Sequence, residues 1–265
     1  MILVDAFWLL HKCRHSLDFL KTSRGIPTGM EYGFLKSCEA LERDFKDKVI
    51  LCWESRSFRY DLYPEYKSGR VSKLDMDRVK EFKNFCKQVF RNAEHEGMEA
   101  DDIIASLCGK EKTIIYANDK DLLQLIDEQT VVVKSFYDKK YPWDLETVQV
   151  RMYGLVPSEL PLYQAWIGDP VDSIPGSGLR KSRIASAIIW SRDATFQSWP
   201  LWNAKELLIL EIFVPRTDLT TLRRGDVQIE EAIWNKTIIE EWLVKMEIAS
   251  LKMCGKIGMF KMEEF

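Results

Sequence analysis

Four short apolar runs, β-branched and nearly free of charge, constrain the fold of this chain more than any other feature. They are MILVD (1–5), KVILCW (48–53), TIIYAN (113–118) and TVVVK (130–134). Runs of this length and character fit strands covered on both faces, as in parallel sheets. Between them, apolar residues recur every three or four positions. GMEYGFLKSCEALERDF (29–45) shows this, as does DMDRVKEFKNFCKQVF (75–90), where Val79, Phe82, Cys86, Val89 and Phe90 share a stripe. DDIIASLCG and DLLQLID follow the same helical rule, and a return strand fits 91–96. This alternation over the first 135 residues predicts an α/β domain with a mostly parallel sheet. After Asp144 the sequence is helix-compatible, rich in Trp and Leu, and punctuated by prolines. The expected organisation is an α/β core over 1–143 with a helical region, 144–265, packed on it.

In open α/β sheets, functional side chains gather at the carboxyl ends of the strands. Asp5 ends the first run, Glu54 follows the second, and Asp119 and Asp121 follow the third. Glu99, Asp101 and Asp102 open a helix, where acids also favour the helix dipole without any function. Asp169 and Asp172, in WIGDPVDSIPG, taken singly are turn or capping residues. Brought together, these acids would repel one another unless cations bind them. Hard oxygen ligands without His or Cys point to Mg²⁺ or Mn²⁺, and two such ions support phosphodiester hydrolysis.

The formal net charge of −3 does not exclude a phosphate-rich partner, because setting a cluster of acids aside leaves a positive remainder. Cys13, Cys38, Cys52, Cys86, Cys108 and Cys254 are scattered, with no C-x-x-C pair, and read as reduced core residues. His11, His15 and His95 lack zinc-site spacing. No apolar stretch approaches a membrane span, and the N-terminus has no basic region ahead of its apolar run. The expected location is the cytoplasm.

MILVDAF, YPEYKSGR, EGMEADDIIASL, YANDKDLLQLI and AWIGDPVDSIPGSG, in this order and spacing, resemble the 5′ nuclease (flap endonuclease) family. That family includes bacteriophage 5′-exonucleases and the 5′ nuclease domain of bacterial DNA polymerase I. The resemblance runs over about residues 1–190. It implies a PIN-like nuclease core with a helix-3-turn-helix element, about 162–190, that binds duplex DNA. The implied activity is 5′-3′ exonuclease and flap endonuclease cleavage of DNA, with removal of RNA primers from RNA–DNA hybrids.

By the same resemblance, Asp5, Glu54, Glu99 and Asp101 hold one metal. Asp101 with Asp119, Asp121 and Asp172 holds the second, and Asp102 and Asp169 stand nearby as further acids. Lys67 would lie close to the scissile phosphate with Arg70 as its partner, and Tyr66 would stack on a terminal base. Gly176 and Gly178 would let the hairpin backbone approach a phosphate, Arg180, Lys181 and Arg183 would add backbone contacts, and K⁺ would bind main-chain oxygens there. The implied setting is a monomer in a bacterial or phage-infected cytoplasm. The tail GKIGMFKMEEF is a candidate docking segment for a single-strand binding protein or clamp.

Three departures stand out. Glu54 occupies a position where bacterial and phage members usually carry Asp. The hairpin P-G-S-G is shorter than P-G-V-x-G-I-G. Only 31 residues separate Lys67 from Glu99, leaving a short basic loop, 68–75, as the arch. Two alternatives stay open from the residues themselves: a PIN-type single-strand ribonuclease, and a branched-DNA-binding protein without catalysis.

Overall fold

The computed structural model describes residues 1–70, 74–135, 141–190, 192, 220–246 and 248. Five strands run parallel: β1 (Ile2–Asp5), β2 (Val49–Trp53), β3 (Arg91–Glu94), β4 (Thr113–Tyr116) and β5 (Thr130–Val133). The sheet order is β5-β4-β1-β2-β3-β6. The chain thus starts in the middle, builds outward through β2 and β3, then returns to add β4 and β5 on the other side of β1. That reversal opens a crevice at the carboxyl ends of β1 and β4, where such sheets bind ligands.

The sixth strand corrects the all-helical reading of the second half. β6 (Ile229–Glu230) pairs antiparallel with β3, Asn92 opposite Glu230. Trp143 also joins the sheet margin, exchanging backbone hydrogen bonds with Val132 (2.8 and 3.0 Å).

Helices cover both faces. On one lie α1 (Ala6–Leu17), α2 (Gly29–Phe45) and α4 (Met76–Val89), with a short α3 (Arg59–Leu62) before α4. α2 fills the predicted span, and α4 starts where Asp75 caps the amides of Asp77 and Arg78. Gly29 is required: a Cβ there would sit 1.7 Å from the Leu17 carbonyl oxygen, so α1 and α2 meet only through hydrogen. Phe34, Trp53, Phe82 and Phe85 fill this core, and Trp242 of the last described helix, α9 (Lys236–Lys245), stacks on Phe85 at 3.9 Å between centroids.

The other face carries α5 (Ala100–Leu107), α6 (Leu145–Arg151), α7 (Leu160–Ile167) and α8 (Lys181–Trp190). Ile103 and Ile104 share one buried cluster with Leu160, Tyr163, Ile184 and Ile188, so the helical region and the sheet have a common core. DLLQL (121–125) forms a 3-10 turn, tighter than the α-helix expected, with its apolar residues buried all the same. The five described cysteines are buried and unpaired, as expected; Cys254, the segment LWNAKELLILEIF and the tail lie outside the described residues.

Candidate active site

Each strand end delivers its acid for a local reason. Asp5 closes β1 and caps α1, accepting the Trp8 amide at 3.0 Å. Glu54 follows β2 and faces solvent at the mouth of a cleft of about 700 Å³. That cleft is also lined by Phe7, His11, Tyr60, Lys67 and Arg70. Glu99 caps α5, and its backbone amide donates to Asp102 at 3.2 Å, completing a capping box. Asp119 accepts the Asp121 amide at 2.8 Å, which turns the chain after β4 into the 3-10 turn.

Two populations of acids emerge. The first is clamped by cations of the chain. Lys67 donates to Glu99 and Arg70 to Asp172, while Lys120 pairs with Asp169 at 2.9 Å. Lys67 itself takes a left-handed backbone (φ 55°), a conformation costly for a side chain, and its amide is fixed on the Asp172 carbonyl at 3.0 Å. Burial opposes ionisation of Asp169, but the hydrogen bond and charge of Lys120 hold its carboxyl below the usual range. Burial pushes Asp172 up, and Lys67 and Arg70 offset part of that.

The second population has no such cation. Asp101 Oδ1 and Asp121 Oδ1 are buried and have no hydrogen-bond partner among the described residues. Burial, then the charges of Asp119, Asp5 and Asp121, raise the Asp101 carboxyl well above its ordinary value. Burial and Asp119 do the same to Asp121. Asp5 is pushed up to about 7, by burial first and then by Glu54 and Asp119, against the Trp8 amide and Lys67. Mutual repulsion of this kind is what a bound cation relieves.

As the side chains stand, no three His, Cys, Asp or Glu among the described residues converge to enclose an ion. The chemistry nevertheless fits hard divalent cations: the donors are all carboxylates, and two buried oxygens lack any partner. Glu99 and Asp172 are turned to Lys67 and Arg70 instead, which accounts for the lack of convergence.

The chain engages three of the expected site residues itself. Asp102 is fully buried and held by both Nη atoms of Arg59 (2.6 and 2.9 Å) and by the Arg223 amide (2.8 Å), so its oxygens are not available to a metal. Tyr66 is 3% exposed, with its hydroxyl on Glu99 at 2.9 Å, and does not present its ring for stacking. Gly176 is needed by the chain itself, since a Cβ would lie 1.9 Å from the Ile167 carbonyl oxygen. Gly178, by contrast, has φ +76° and open space about it, and Arg180 and Lys181 are exposed at the start of α8, with Arg183 half-buried.

A profile of the family described as "5′-3′ exonuclease, N-terminal resolvase-like domain" matches residues 1–153. The chain belongs to this 5′-3′ exonuclease family. The 5′-3′ exonuclease of Buchnera aphidicola is 29% identical over 232 residues, covering 79% of both chains. The thermostable DNA polymerase I of Thermus thermophilus is 33% identical over 193 residues, 66% of this chain but 22% of the polymerase. In fold, this exonuclease-family chain is similar to the bacteriophage T5 D15 flap endonuclease solved with DNA and metal ions. The TM-score is 0.65 at 16% identity, covering 93% of this chain and 97% of that one. Among the described residues no helix is long and apolar enough to cross a membrane.

Sequence reading missed Arg59 and the cleft position of His11.

Proposed function

We propose that this chain is a divalent-cation-dependent 5′ nuclease that hydrolyses phosphodiesters of DNA near 5′ ends and at flaps, and of RNA primers in hybrids. The observation that carries the reading is the pair of partnerless buried oxygens, on Asp101 and Asp121, at the crevice between β1 and β4. Asp5, Glu54, Glu99 and Asp101 would hold one Mg²⁺, and Asp101, Asp119, Asp121 and Asp172 the other, with Mn²⁺ able to replace it. When bound, the cations supply Lewis-acid activation of water and stabilisation of the leaving oxygen.

The chain's own residues do the rest. Lys67 and Arg70, now on Glu99 and Asp172, line the cleft where a phosphate enters, and their charge opposes the negative charge that builds on its oxygens. The connection from α7 to α8 is read as the helix-3-turn-helix, with Gly178 offering its backbone and Arg180 and Lys181 sequence-independent contacts to the duplex. The location that goes with this reading is the cytoplasm.

The test is cleavage of a 5′-labelled flap DNA, with its 5′ end free or blocked, in Mg²⁺, Mn²⁺ or EDTA. Metal-dependent cutting at the junction is the expected result, and tight binding without cutting in any metal would refute it. Failure on the blocked end would add that a free end is captured.

A further inference from the structure

Glu99 has two oxygens, and the structure treats them differently. Oε2 accepts from Arg59 Nη1 at 3.0 Å and from the Tyr66 hydroxyl at 2.9 Å. Among the described residues Oε1 meets only Lys67, on the cleft side. Arg59 is in turn held from every direction. It forks onto Asp102, donates to the Thr221 carbonyl at 3.1 Å, and lies on the Phe58 ring at 4.6 Å.

The stretch Thr220–Gly225, far along the chain, is bound to both groups of acids, the one opening α5 and the one following β4. Its Arg223 amide reaches Asp102, and its Gly225 amide reaches Ser106 of α5 at 2.9 Å. Gln124 ties it to the other group, donating to the Thr220 and Asp121 carbonyls and accepting the Leu222 amide at 3.0 Å. The Arg223 guanidinium covers the Phe58 ring from 3.4 Å.

We propose that Arg59, backed by the 220–225 stretch, is a positioning residue for Glu99. Its planar fork satisfies Asp102 and locks Glu99 Oε2 together with Tyr66, so that Oε1 alone is presented to the cleft as a ligand oxygen. A lysine cannot reproduce this, because a point charge lacks the fork that meets two carboxylates at once. Removing the guanidinium would leave two buried carboxylates side by side without their shared donor. This inference rests on the divalent-cation reading above.

The experiment is calorimetric titration of the metal-free protein with Mn²⁺, beside steady-state cleavage of flap DNA. The variants are Arg59→Lys, Tyr66→Phe and the paired Arg59→Met/Asp102→Leu, which removes both buried charges and guards against simple unfolding. Changes to residues that orient a ligand typically cost about 10–100-fold in metal affinity or activity. That loss is expected in the Mn²⁺ dissociation constant and in kcat for all three, with KM for DNA little changed. Arg59→Lys and Tyr66→Phe should combine to less than the product of their effects, since both act through one oxygen. Folded variants that bind Mn²⁺ and turn over like the wild type would overturn the proposal, leaving a structural ion pair. Wild-type protein that binds no Mn²⁺ would overturn the cation reading as well.

Discussion

The acids of this site carry similar charge and meet opposite fates. At the start of α5, Glu99 and Asp102 are wrapped by Arg59, Lys67 and Tyr66. Asp101, between them, and Asp121, after β4, each keep a buried Oδ1 with no hydrogen-bond partner among the described residues. The difference teaches where an external cation is needed. A folded chain tolerates a buried carboxylate that it has satisfied itself; one left bare is a standing cost that a bound ion removes. Lys120, between Asp119 and Asp121 in sequence, relieves Asp121 only in part, because its ammonium is on Asp169.

The sharpest way to break this contrast is Asp101→Asn, which removes one bare charge. Cleavage should fall roughly 1000-fold, about 4 kcal/mol of transition-state stabilisation, while the metal-free protein melts higher than wild type. Activity within a few-fold of wild type would end the assignment. Lys67→Ala, on the clamped side, should lower kcat by about 10²–10³-fold, the usual range for losing a donor to developing charge. Circular dichroism should show the fold unchanged.

Proton linkage sharpens the contrast without mutation. Asp5 is held near 7 in the folded chain against an ordinary 3.8, and Asp101 and Asp121 are raised as well. Between about pH 4 and 7 the folded state therefore binds protons that the unfolded state has released. Stability of the metal-free protein should fall as pH rises through that window. Differential scanning calorimetry in EDTA reads this directly, and a melting temperature that climbs across the window would contradict it. The smallest effect is expected at the hairpin. Arg180→Ala should weaken duplex binding a few-fold and reduce the slope of log affinity against log salt by about 1.

Much of this was legible in the sequence, for physical reasons that differ by element. Strand–helix alternation is written locally in hydrophobic periodicity, so β1, β2, β4, β5, α2 and α4 fall within a residue or a few of their expected spans. The acids were legible because strand ends and helix starts share one edge of the sheet. What depends on distant partners was not. β6 is two residues long, and nothing local marks Ile229 as a partner for Ala93. Arg59 looks like any arginine in S-F-R-Y until folding seats it between Glu99 and Asp102. Tyr66 and Gly176 carry the chemistry expected of contacts to DNA, yet the chain uses both on itself, a hydroxyl for Glu99 and a missing Cβ for Ile167.

The central claim is that the bare acids await a divalent cation, and its most direct test is the melting temperature of wild type and Asp121→Asn with and without Mg²⁺. A ligand that binds only the folded state raises its stability by RT ln(1 + c/Kd), where c is its free concentration. Wild type should start lower in EDTA and gain clearly from Mg²⁺, while Asp121→Asn should start higher and gain little. Equal gains in the two proteins, or none in wild type, would contradict the claim.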